Sequence, residues 1–185
     1  MKNDLEQTWI AIGYELFAHE GLAGLNIERM SRIAYKSKSS FYHLFADIEL
    51  FQEKLLRYHQ QRGIDIAQAI SLCPNINPAM IDLLLSVKTD ILFHRQLRIY
   101  RNNSQYRQCF KTAHAPVEAA IMPFWAAVMG LPHNTYVARL ILNLSIDNFY
   151  LRVTNETLNR EWLLSVLHEW QHFVSQLKND IRIEA

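Results

Sequence analysis

The chain has 185 residues, half of them apolar, with 19 basic and 18 acidic side chains and a formal net charge of +1. That size supports a buried core in one or two small domains without disulfide or metal staples, and the two cysteines, Cys73 and Cys109, are too few for a disulfide framework and wrongly spaced for a zinc knuckle. Near-neutrality excludes attraction to nucleic acid by the field of the whole molecule, so any such attraction must come from a local patch.

The N-terminus lacks a basic-then-apolar export pattern, which together with unpaired thiols predicts a cytoplasmic protein. With five Gly and five Pro, and apolar positions recurring at helical spacing, the expected fold is all-α with about nine helices. The first helix puts Leu5, Trp9, Ile12, Leu16 and Phe17 on one face and stops at Gly21, which can take a left-handed cap. Asn26 caps a short second helix whose inward stripe is Ile27, Met30, Ile33 and Ala34. After a break near Tyr35 and Lys36, Ser37 caps a third helix with Phe41, Leu44 and Phe45 turned inward and Lys38, Ser39, Tyr42 and His43 outward. Asp47 caps a longer helix to about Arg62. Ser71 to Pro78 reads as a loop, followed by helices near 78–101, 104–112, 114–129, 135–154 and 159–180. The longest apolar run, Ala119 to Pro132, is interrupted by Pro123 and falls short of the ~20 residues a membrane span requires, so no membrane association is expected.

The second and third helices are too short to make much core alone. Two such helices joined by a tight turn can, however, hold one helix proud of the surface for insertion in a major groove. Charge is concentrated there: between Asn26 and Phe45 lie Arg29, Arg32, Lys36 and Lys38 against the single acid Glu28. Lysine can donate to guanine, hydroxyls serve base or phosphate, and helix N-terminal amides attract a phosphate oxygen. The other reading of Phe41, Tyr42 and Phe45 is that they are core aromatics of a helical hairpin.

The stretch Ile12 to Phe51, above all Ile27-Glu-Arg-Met-Ser-Arg-Ile-Ala with Ser37-Lys-Ser-Ser-Phe-Tyr-His-Leu-Phe, resembles the tetracycline-repressor (TetR) family of transcription regulators over about the first third of the chain. The resemblance implies a helix-turn-helix DNA-binding domain over residues 1–47 and a helical effector-binding and dimerisation domain over 48–185. It implies that the third helix reads DNA, with Asn26, Lys36, Ser37, Lys38, Ser39, Ser40, Tyr42 and His43 at base edges or phosphates. The chain departs from the family pattern at Tyr35, which stands at the usual turn glycine, at Lys36, which replaces a small apolar residue, and at Ile48, which replaces a lysine. A ligand-responsive repressor acting as a homodimer on a two-fold symmetric, double-stranded operator is the function implied.

The helix from Thr135 to Thr154 is apolar nearly all round, and with the last helix it offers Leu140, Leu144, Leu151, Leu163, Leu167, Trp170 and Val174 for a four-helix dimer interface. Within it, Asn143 and Asp147 lie beside Tyr150. They either satisfy each other and neighbouring helices or line the cavity for a small-molecule effector. Phe93, Tyr100, Trp125 and Met129 could line the same pocket or be plain core. Arg95, Arg98, Arg101, Arg107 and Lys111 could attract an anionic effector or form a solvated face. The strongest enzymatic signal is His168-Glu169-Trp170-Gln171-His172, an H-E-x-x-H pattern that would serve a zinc hydrolase. It lacks an evident third ligand, since Asp180 and Glu184 are the only acids downstream, and the same helix offers Trp170, Phe173 and Val174 for packing. No enzymatic activity, metal or cofactor is therefore expected, and a helical interaction protein that has lost DNA binding is the main alternative.

Overall fold

A computed structural model describes residues 2–183. Among these residues every regular element is helical. Nine α-helices run in order: α1 Lys2–Glu20, α2 Ile27–Ala34, α3 Lys38–Phe45, α4 Ile48–Ser71, α5 Ile81–Ser86, α6 Lys88–Ile99, α7 Ser104–Val128, α8 Thr135–Arg152 and α9 Arg160–Ile183. A 3-10 turn, Gly21–Gly24, follows α1, and a π-type turn, Ile76–Met80, precedes α5. No helix of the described residues is long and apolar enough to cross a membrane.

The first helices follow their local signals. Gly21 has φ +64, a left-handed value that glycine adopts without steric cost. Asn26 and Ser37 cap α2 and α3 through their side-chain oxygens, and Asp47 Oδ1 accepts from the Leu50 amide at the start of α4.

Three boundaries differ from the sequence expectation. Helix α4 continues past Arg62 to Ser71, because Gly63 serves close helix approach instead of termination: a Cβ there would lie 2.5 Å from the Ala113 carbonyl oxygen. The single helix expected over 78–101 is interrupted, with Val87 leaving helical geometry at φ −108, ψ 32 between α5 and α6. Conversely, the two helices expected over 104–129 are one, α7, which carries Pro116 and Pro123 in its interior. A proline there removes a backbone hydrogen bond and costs about 3 kcal/mol, and Ala113, Trp125 and Ala126 of the same helix are buried.

Contacts divide the chain into two compact units, residues 1–65 with 89–115, and residues 66–88 with 116–185. The functional boundary expected at residue 47 lies inside the first of these. The first unit's core is aromatic: Trp9, Phe17, Phe41, Phe51 and Phe93 are essentially inaccessible to solvent. In the second unit, Trp125, Met129, Ala138, Ile141, Leu142 and Val174 form the centre of a separate cluster.

Candidate nucleic-acid interface

The segment from Asn26 to Asp47 shows how a short helix can be held rigid while half of it stays wet. In α2, Met30 and Ala34 are buried and Ile27 is half-buried, but Ile33 is 45 % exposed. At 100° per residue Ile33 falls beside the buried arc, and Ser31 takes the inward position expected of it. The Ser31 hydroxyl donates to the Lys36 carbonyl at 2.6 Å, and the Lys36 amide donates back to the Ser31 carbonyl at 3.1 Å, so this one residue pins the turn from both sides.

Helix α3 buries Phe41 and Phe45 against Phe51, with ring centroids 5.2 and 4.9 Å from it. Trp9 of α1 meets Phe41 edge-on at 5.3 Å, and its buried indole N–H has no hydrogen-bond acceptor among the described residues. These contacts fix the rotation of α3, so Lys38, Ser39, Tyr42 and His43 face outward.

Not all expected DNA-contacting residues are equally free. Ser37 Oγ accepts from the Ser40 amide at 3.3 Å, and the Ser40 hydroxyl donates to the Ser37 carbonyl at 2.8 Å, so both hydroxyls already cap the helix. Asn26 Oδ1 accepts from the Arg29 amide at 2.9 Å. Arg29 is held by Glu20 through two hydrogen bonds of 2.5 and 2.7 Å, and Lys38 pairs with Glu28 at 3.2 Å, both partners exposed. Such exposed pairs contribute about 0–1 kcal/mol and yield readily to a phosphate. Arg32 and Lys36 are exposed as well.

Both flanks of α3 carry non-glycine residues at positive φ. Tyr35 is left-handed at φ 52, ψ 41, the geometry usually given to glycine, at a cost of about 1–2 kcal/mol. Ala46 has φ 62, ψ −52, a tight three-residue turn in which the Asp47 amide donates to the Phe45 carbonyl at 2.7 Å. Strain of this kind persists only where the surrounding structure over-determines it, and here the buried aromatics of α3 and α4 do so.

Sequence reasoning missed a buried polar network in the first unit. Arg62 donates through Nε and Nη2 to the two carboxylate oxygens of Asp90, both at 2.9 Å, and the Tyr14 hydroxyl donates to Asp90 Oδ1 at 2.8 Å. The phenol has one proton, which the carboxylate claims. The His59 Nδ1 at 2.6 Å must then be the donor to the Tyr14 oxygen, leaving His59 Nε2 to accept from His94 Nδ1 at 2.9 Å. Burial drives the His59 pKa down to about 3 against an opposing pull from Asp90, and His94 well below the usual range, also by burial. Burial beside Asp90 pushes the Tyr14 phenol up. Single polar residues inside apolar stripes of α1, α4 and α6 gave no sequence signal that they converge.

Residues expected at an effector pocket are distributed over both units. Phe93 stacks on Tyr14 at 4.3 Å and on His59 at 4.5 Å, and Tyr100 accepts at its hydroxyl from the Leu22 amide at 3.2 Å. In the second unit, Trp125 donates to the Ala138 carbonyl at 3.1 Å and Met129 is buried beside it. Asn143 and Asp147 are exposed on α8 instead of buried, and Tyr150 meets Phe149 edge-on at 5.3 Å. A groove of about 580 Å³ in the first unit is lined by a different, polar set including Glu53, Arg57, Gln60, Arg107 and Gln108. Cys109 also borders it, but burial pushes its thiol up to about 12, which makes it an inert neutral group at physiological pH.

The residues expected at a dimer interface divide. Leu140, Leu144 and Leu151 are 47, 60 and 80 % exposed on one face of α8, together with Tyr136. Leu163 and Val174 are buried, and Leu167 and Trp170 half-buried, within the second unit itself. In the H-E-x-x-H segment of α9, Arg152 donates to both oxygens of Glu169, at 2.6 and 3.1 Å, and this holds the carboxyl below its usual range. No group of three or more His, Cys, Asp or Glu suited to a metal ion occurs among the described residues; Glu184 lies outside them. A scan against protein-family models returns no match for this chain, and a search of curated proteins returns none either.

Proposed function

We propose that this protein is a sequence-specific DNA-binding transcription regulator of the tetracycline-repressor type, a ligand-responsive repressor that binds double-stranded DNA as a homodimer, with α3 as its reading helix. The observation that carries the reading is the outer edge of α3 and its preceding turn. From Tyr35 to Phe45 the chain has no acidic residue, and Lys36 of the turn faces solvent with Lys38, Ser39, Tyr42 and His43 of a helix locked from beneath by Phe41 and Phe45. A rigid short helix with cations and hydroxyls on its free side suits insertion in a major groove, phosphates fixing its register and base edges its sequence choice. Response to a small effector belongs to the same reading and draws its support from the family resemblance.

Selection of bound duplexes from a random pool tests it, with a two-fold symmetric motif as the expected product. Binding to the selected duplex should weaken steeply with salt as phosphate contacts release counterions, and Lys38→Ala should reduce the slope of log affinity against log salt by about one. Failure to enrich any duplex, or salt-independent binding, would favour the reading as a helical interaction protein. The zinc-hydrolase alternative is disfavoured because Glu169, which would have to act as general base, is held by Arg152.

A further inference from the structure

Tyr35 is a large aromatic residue with 92 % of its surface in solvent, and its backbone occupies a left-handed conformation at φ 52, ψ 41. Its main chain explains the turn completely: the Tyr35 amide donates to the Arg32 carbonyl at 3.2 Å and the next amide, of Lys36, to the Ser31 carbonyl at 3.1 Å. The side chain contributes nothing to this. Its phenol makes no hydrogen bond among the described residues, and its ring packs on no other ring. Glycine or asparagine would make the same turn with less steric cost. The fold therefore gains nothing from a tyrosine, while an exposed, strained aromatic residue adds apolar surface and lowers stability.

The position of Tyr35 suggests what it is for. It immediately precedes the exposed Lys36 and the capped start of α3, in a run whose charged groups are all cationic. An amphipathic ring beside cations and helix N-terminal amides matches a polyanionic backbone of sugars and phosphates, where the ring covers deoxyribose carbons and the hydroxyl donates to a phosphate oxygen. We propose that Tyr35 is a positioning contact to the DNA backbone, laid on the strand that flanks the groove entered by α3, and that it sets the depth and register of that helix. The inference rests on the DNA-binding reading of α3.

The test uses the full chain and a fluorescent duplex carrying the motif recovered by random-pool selection. Tyr35→Gly is expected to weaken binding by about thirty-fold or more and Tyr35→Phe by about ten-fold, since the phenylalanine keeps the ring and loses one hydrogen bond to a charged acceptor. The thermal midpoint of Tyr35→Gly should equal or exceed that of the parent. Its salt slope should be unchanged, because a neutral side chain releases no counterion, whereas Lys38→Ala measured alongside loses about one unit of slope. Tyr35→Asn, which also tolerates the left-handed turn, repeats the measurement without glycine's added freedom, and it should match the glycine variant. Parental affinity in both variants overturns the proposal. So does a loss of affinity accompanied by a lower thermal midpoint or a shallower salt slope, since either reveals a displaced α3 and not a lost contact. If wild-type protein enriches no duplex, the DNA-binding reading falls and this inference with it; if it does and the Tyr35 variants bind equally well, only the inference falls.

Discussion

Asp90 is the residue on which the first unit's polar interior depends. Its carboxylate collects the Arg62 guanidinium and the Tyr14 hydroxyl, and through Tyr14 it dictates which nitrogens of His59 and His94 carry protons. Asp90→Ala should destabilise the chain by about 3 kcal/mol, toward the low end for a broken buried pair because Arg62 keeps 31 % of its side chain exposed. Urea unfolding monitored by circular dichroism would check this, and a loss below about 1 kcal/mol would mean the network adds little. The histidines make a separate prediction about pH. His59 titrates near 6.5 when unfolded but about 3 when folded, so between those values the unfolded chain takes up a proton that the folded chain refuses. Its contribution to stability is fully present above pH 6.5 and is lost as pH falls toward 3, by about 1.4 kcal/mol per pH unit for each such histidine. His94, shifted in the same direction, adds to the slope, and replacing it by phenylalanine should make acid unfolding measurably shallower.

At the scale of an element, α3 is a two-turn helix that would not persist alone, and its stability comes from its ends and its buried face. Ser37→Ala removes the acceptor for the Ser40 amide and should cost about 1 kcal/mol. Ala46→Gly relieves a positive φ of 62° and should stabilise by up to about 1 kcal/mol. Equilibrium denaturation measures both, and the opposite sign for either would show that the local backbone relaxes differently from the geometry described. Under the proposed function the two variants also part ways in DNA binding. Ser37→Ala frays the end that carries Lys38 and Ser39, while Ala46→Gly acts at the far end and should leave affinity within about two-fold.

For the molecule as a whole, the exposed leucines of α8 are the main unanswered surface. Tyr136, Leu140, Leu144 and Leu151 lie on one face and are exposed in a single chain, an arrangement that a partner helix would cover. The proposed dimer would have to hold its two reading helices about 34 to 36 Å apart to meet successive major grooves. Leu144→Glu combined with Leu151→Glu should convert a dimer to a monomer in sedimentation equilibrium without lowering helical content, because neither side chain belongs to the core of its own chain. The same double variant should lose most of its affinity for a symmetric duplex while retaining weak, salt-sensitive binding. A monomeric parent protein would remove the dimer from the proposed function.

The helical fold and the edges of its early elements were legible because they rest on local chemistry: Gly21 at a left-handed position, Asn26, Ser37 and Asp47 as caps, and the outward set Lys38, Ser39, Tyr42 and His43 fixed by helical period alone. Features that depend on residues distant in sequence were not. Gly63 prolongs α4 because Ala113 packs against its backbone, and α7 runs through two prolines that local rules would place at helix ends. The Tyr14, His59, Arg62, Asp90 and His94 network spans three helices, and Leu163 and Val174 of α9 turned out to fill their own chain's core while Leu140, Leu144 and Leu151 stayed outside. Periodicity and caps are properties of a few consecutive residues and can be read in order. Which of two apolar faces is buried, and which polar groups meet inside, is decided only when helices far apart in the chain compete for the same space.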